Sequence, residues 1–151
     1  MPMRLGTEMP TIEGATEWFN SEGMPELEPG KVTLIHFWAV SCHICHETMP
    51  ELMKIKSKYE KDGLQVVAVH MPRYDADVDV EKVKGDRAEY QMDQPIGLDH
   101  RKALATRFQN EYVPAFFIFD KEGKLKFRAA GDRGFQKVEP KVREALGLPN
   151  E

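Results

Sequence analysis

The stretch VTLIHFWAVSCHICHETMPELMKIKSKYEKDG, residues 32–63, decides how this chain folds. Its first nine residues are β-branched, aromatic and nearly continuous, as a central strand buried on both faces requires. Beyond Ser41 the apolar positions Met49, Leu52, Met53, Ile55 and Tyr59 recur at helical spacing, and Asp62-Gly63 ends the run. The chain therefore passes from a buried strand into a helix at Cys42-His43-Ile44-Cys45.

Downstream, LQVVAVHM (residues 64–71) predicts a second buried strand. An excursion follows over residues 72–93, with an acidic loop at 75–79 and a helix near 80–90 weakened by Gly85. Residues 95–98 predict a third strand, and Asp99 is placed to cap a short helix whose Ala103, Leu104 and Phe108 face inward. Two short runs, YVPAFFIFD and KLKFRAA, flank the turn Asp120-Lys121-Glu122-Gly123 and predict an antiparallel hairpin with one wet face. Phe135, Val138, Val142, Ala145 and Leu146 form the stripe of a last helix stopped at Gly147. Upstream, residues 1–30 hold six Glu against one basic residue, Arg4, and are broken by Pro10, Pro25 and Pro29. An irregular N-terminal extension is expected there, with a short hairpin near Thr11-Ile12 and Trp18-Phe19, the two aromatics anchoring it to the core. The expected class is α/β, a mixed central sheet flanked by helices. One domain spans 1–151, with the extension over 1–30 and the core over 31–151.

The 151 residues carry 21 Lys and Arg against 25 Asp and Glu, a formal charge of -4. Mild acidity argues against nucleic acid or an anionic membrane as partner. No apolar run is long enough to span a bilayer. The start, MPMRLGTEMP, lacks the basic and apolar segments of a signal peptide, so a cytoplasmic location and a monomer are expected. Both cysteines fall in one CxxC, which in a reducing compartment points to transient redox chemistry or metal binding rather than a structural staple.

A thiol attacks as its thiolate, and an ordinary cysteine titrates at about 8.5. At the strand–helix junction, unpaired backbone N–H groups and the positive end of the helix dipole face the Cys42 sulfur and favour the anion. Cys42 is thus the expected nucleophile, and Cys45, one turn on, resolves the mixed disulfide. A protonated His43 would favour the Cys42 thiolate further, although the helix dipole opposes that protonation. The alternative is that His43 and His46 are exposed first-turn residues without a special role. His36 shares a strand face with Leu34 and Trp38. It either satisfies a local hydrogen bond in the core or lies beneath Cys45 as its base.

These residues resemble the thioredoxin superfamily. FWAVSCHIC is similar to the family's Phe-Trp-Ala followed two residues later by CxxC. Pro50 matches the proline that kinks its active-site helix, and Val113-Pro114 matches its cis-proline. The resemblance implies a thioredoxin fold with an N-terminal extension and an insertion after the second core strand, as in the TlpA/ResA-like redoxins. The runs LIHFW, VVAVHMPR and NEYVPA resemble the YkuV-type thiol–disulfide oxidoreductases of Bacillus. It further implies thiol–disulfide exchange with protein substrates, an upstream thiol reductant, and no cofactor beyond the Cys42–Cys45 pair. Val113, Pro114 and Trp38 would then contact substrate, Val113 through its backbone by strand addition. The chain departs from the pattern in three places. His36 stands where thioredoxin has an aspartate, Ser41 where it has a tryptophan, and Arg73 near the ResA-type active-site glutamate.

Other readings compete. Cys42-His43-Ile44-Cys45-His46 is formally a CxxCH haem-attachment signature, disfavoured by the buried strand before it. A zinc site lacks a second ligand pair, His70 and His100 being far apart in sequence. A thiol peroxidase of the redoxin type would usually carry Thr or Ser where Ala39 stands. A client-binding module without turnover would use the same fold and the Val113 edge.

Overall fold

The computed structural model describes residues 2–149, so Met1, Asn150 and Glu151 of the expected 1–151 domain lie outside the described residues. Six strands, β1 (Trp18–Phe19), β2 (Val32–Trp38), β3 (Leu64–His70), β4 (Ile96–Leu98), β5 (Ala115–Phe119) and β6 (Leu125–Ala130), make one sheet. Their order is β1-β4-β3-β2-β5-β6. Strands β2, β3 and β4 run parallel, and β1, β5 and β6 join antiparallel. The sheet is mixed because the first connections pass through helices while β5 and β6 are joined by a tight turn.

The helices are α1 (His43–Tyr59), α2 (Val80–Glu89), α3 (Ala103–Arg107), α4 (Gly131–Phe135) and α5 (Val138–Leu146). Every residue of β2 is buried, and its alternating side chains feed two separate cores. Val32, Leu34 and Trp38 pack with Met49, Leu52 and Ile55 of α1 and Val138 and Val142 of α5. Ile35 and Phe37 pack on the other face with Leu104 of α3, Phe108 and the N-terminal Met3 and Ile12. The extension thus covers one face of the sheet, and the face carrying α1 belongs to the cysteines.

Three local expectations change. No hairpin joins Thr11-Ile12 to Trp18-Phe19; instead β1 pairs with Gly97 and Ile96 at the sheet edge. Gly97 permits this, since a Cβ there would lie 2.8 Å from the Trp18 ring. Asp99 does hold the start of α3, but from further out than an N-cap. Its carboxylate accepts from the N–H groups of Leu104 and Ala105, each at 2.8 Å, while Lys102 occupies the cap position. Phe135 is not on the last helix. Gly134 packs so closely on Ala129 that a Cβ would come within 2.7 Å of its methyl, which fixes α4 against β6 as a turn of its own. Gly147, at φ 78°, ends α5 in the left-handed cap expected of it.

Candidate active site

The strand that must bury itself between two cores releases the chain at Trp38, and α1 begins five residues later. Cys42 is the N-cap of α1, and its Sγ accepts the Cys45 N–H at 3.1 Å. Cys42 and Cys45 are joined as a disulfide, with Cα atoms 5.2 Å apart. The first turn of α1 contributes no acidic side chain of its own to oppose the positive end of the dipole. The same N–H that caps with the disulfide sulfur remains available to a thiolate. Cys42 is 3% exposed and Cys45 1%, so both residues of the oxidised pair are buried.

The Val113-Pro114 peptide bond is cis, and Val113 packs against the apolar cluster that contains both cysteines. Ser41, immediately before the nucleophile, is held from two sides. Its hydroxyl donates to Asp77 at 2.8 Å, and the Arg73 guanidinium donates to its carbonyl at 2.7 Å. Asp77 also accepts the backbone N–H groups of Arg73 and Tyr74. Burial alone would raise the Asp77 carboxyl, but these donors outweigh it and hold its pKa below the ordinary value. One residue further back, the Val40 N–H donates to His70 Nε2 at 3.3 Å. His70 sits edge-on to Trp38, with ring centroids 5.1 Å apart, and 5.8 Å from His100. Burial lowers its pKa to about 4; His100 adds to the shift and Asp77 opposes it.

His36 lies on the cysteine face of β2 and is 1% exposed. Its Nε2 accepts from the Gln94 side-chain amide at 3.1 Å, so its hydrogen bond runs to Gln94 rather than to a thiol. Burial lowers its pKa to about 3. His43 is exposed, with Nε2 2.6 Å from Glu47 one turn along the helix. Trp38, expected on the substrate surface, is 1% exposed. Its indole N–H donates to Asp86 at 2.9 Å, and its ring belongs to the buried cluster that contains both cysteines. His46 also reaches Asp86, at 2.8 Å.

Asp77, Asp86 and Gln94 are the residues that sequence reasoning missed. Asp77 sits in a run that reads as an acidic loop, and Gln94 carries no motif. Asp86 did leave a signal, since it stands three residues after Val83 and so shares the buried face of α2. Among the described residues no group of three or more His, Cys, Asp or Glu side chains is placed to hold a metal ion. Among them too, no helix is long and apolar enough to cross a membrane.

A CxxC disulfide at a strand–helix junction, with a cis-proline just ahead of the neighbouring strand of a mixed sheet, defines a class. It is that of the thioredoxin-fold thiol–disulfide oxidoreductases. The chain belongs to the AhpC/TSA family, whose profile matches residues 5–128. It is 46% identical over 145 residues to the thiol-disulfide oxidoreductase YkuV of Bacillus subtilis, covering 95% of this chain and 97% of that one. Thiol-disulfide oxidoreductase ResA of Bacillus cereus is 26% identical over 137 residues, 91% of this chain and 76% of its own length. A solved structure described as a thioredoxin-like protein in the oxidised form superposes with a TM-score of 0.85 at 44% identity, covering 96% of this chain and 98% of that one.

Proposed function

We propose that this enzyme reduces disulfides of protein substrates, with an upstream thiol reductant restoring its dithiol. The observation that carries the reading is the Cys42 sulfur at the N-cap of α1, accepting the Cys45 N–H at 3.1 Å. The Cys42 thiolate attacks one sulfur of the client disulfide, forms a mixed disulfide and expels the first client thiolate. Cys45 then loses its proton and attacks the Cys42 sulfur. The mixed bond breaks, the second client thiolate leaves, and two electrons have passed to the client. Val113, packed against the cluster that contains both cysteines and just ahead of Pro114, offers its backbone to an extended client segment.

The two histidines receive smaller parts than their positions in the sequence suggested. A buried imidazole with a pKa of about 3, already accepting from Gln94, is a weak base, which supports His36 as a neutral core residue. Any charge on His43 is shared with Glu47 and screened by solvent before it reaches the sulfur. The composition supports a cytoplasmic reductant, since both cysteines are spent on the exchanging pair and none on a structural bridge. No bound cofactor is needed for the steps above.

Reduction of insulin by dithiothreitol, with and without the protein, tests this reading against peroxidase chemistry. The expected result is catalysis of insulin reduction at sub-stoichiometric protein, with peroxide consumption no faster than for a free dithiol. Rapid peroxide turnover with no acceleration of insulin reduction would overturn it.

A further inference from the structure

We propose that Asp86, on the helix inserted after β3, is a positioning residue for the resolving step of disulfide exchange. This rests on the reading of Cys42 and Cys45 as an exchanging pair. One carboxylate oxygen, Asp86 Oδ2, takes the Trp38 indole N–H at 2.9 Å and His46 Nε2 at 2.8 Å. A carboxylate oxygen can only accept, so His46 carries its hydrogen on Nε2. Trp38 closes β2 four residues before Cys42, and His46 follows Cys45 directly in the first turn of α1. The single oxygen therefore ties together the two elements whose junction is the dithiol.

Two further observations give the tie its direction. Val83 and Asp86 are the buried residues of α2, so Asp86 is the polar one of the two side chains that this helix buries against the body. Tyr90, which caps α2, stacks on the His46 ring with centroids 5.5 Å apart and planes within 17°. The inserted helix thus grips His46 by both its edge and its face. Burying a carboxylate is costly unless its lone pairs are met, and here both donors come from the segments flanking the cysteines.

The consequence falls on one step. While Cys42 is bonded to a client, Cys45 is held near it only by the first turn of α1. Its attack is intramolecular, and such steps lose rate steeply when the reacting atoms are allowed to wander. The first attack, by Cys42 on an incoming disulfide, depends on the helix N-terminus and not on this tie.

An aromatic disulfide such as 5,5′-dithiobis(2-nitrobenzoate) separates the two steps. Cys42 thiolate attacks it and expels one aryl thiolate. Cys45 then attacks the Cys42 sulfur, breaking the bond to the second aryl thiolate and forming Cys42–Cys45. Stopped-flow absorbance resolves the two releases. With Asp86→Ala the second release should slow by about tenfold, the scale expected when a hydrogen-bonded carboxylate is removed, with the first within about twofold. Asp86→Asn keeps the shape with a single acceptor oxygen and should fall between the two, which preserves the test if the alanine variant folds poorly. In a His46→Ala background the effect of Asp86→Ala should shrink, because half of the tie is already gone. An unchanged second release in Asp86→Asn, with only thermal stability lowered, would reduce Asp86 to a structural residue. Absence of a second release in the unaltered protein would instead contradict the exchanging pair itself.

Discussion

Cys42→Ser abolishes disulfide exchange, while Cys45→Ser leaves a protein that attacks a client once and stays attached to it. The asymmetry follows from the position of each sulfur. Cys42 caps α1, where N–H groups and the helix dipole favour its thiolate, and it is the more exposed of the two. A serine hydroxyl in that place remains protonated at neutral pH and is a poor nucleophile toward sulfur. The rate should fall by at least about a thousandfold, some 4 kcal/mol in barrier. In the proposed cycle Cys45, 1% exposed, takes only the intramolecular step, so its loss should spare the first attack and remove the escape. Non-reducing electrophoresis after incubation with a disulfide-bonded client should show a covalent adduct for Cys45→Ser and none for Cys42→Ser. Full activity in Cys42→Ser would reverse the assignment.

Stability should fall steeply as the solution is acidified below pH 6.5, well above the range in which carboxylates titrate. In the unfolded chain each imidazole takes up a proton near 6.5, whereas burial lowers His36 to about 3 and His70 to about 4 in the folded protein. Below pH 6.5 the unfolded chain therefore binds more protons, and acidification favours it. The stabilisation from these groups is complete above the unfolded value and is lost progressively toward the folded ones. Each contributes on the order of 1 kcal/mol per pH unit in that window, so roughly 3 kcal/mol should be lost between pH 6.5 and 5. That is a large share of the ordinary stability of a domain, about 5–15 kcal/mol. Urea midpoints at pH 7, 6 and 5 measure the effect, and His36→Asn should roughly halve the dependence. Midpoints that stay constant over this range would show that neither imidazole is kept neutral by the fold.

The fold was legible because its decisive features are local. Val32–Trp38 is apolar at every position but Thr33 and His36, and the period of Met49, Leu52 and Ile55 changes at the CxxC. Those two facts place the cysteines at a helix N-terminus without any tertiary information. What was hidden depends on contacts between distant segments. Trp18 could not be assigned to the sheet edge until Gly97, 79 residues away, was seen to leave room for its ring. The resemblance implied Trp38 as a substrate contact, and no motif in the sequence pointed to Asp86, whose carboxylate accepts the indole N–H. His36 stayed open between a core residue and a base because its strand leads to the cysteines, and only the fold shows Gln94 at its Nε2. Residues 75–79 read only as an acidic loop, yet Asp77 is 2% exposed and collects donors from Ser41, Arg73 and Tyr74. Polar residues that serve a site by being buried resemble surface residues until the partner is known.

Equilibrating the purified protein in glutathione buffers and trapping its free thiols tests most directly whether Cys42 and Cys45 are a working dithiol. A reversible two-electron transition near the thioredoxin value, about −270 mV, is the result expected of a reductant built as this one is. A midpoint near −120 mV would contradict the direction of electron flow, and no reversible transition at all would contradict the redox pair itself.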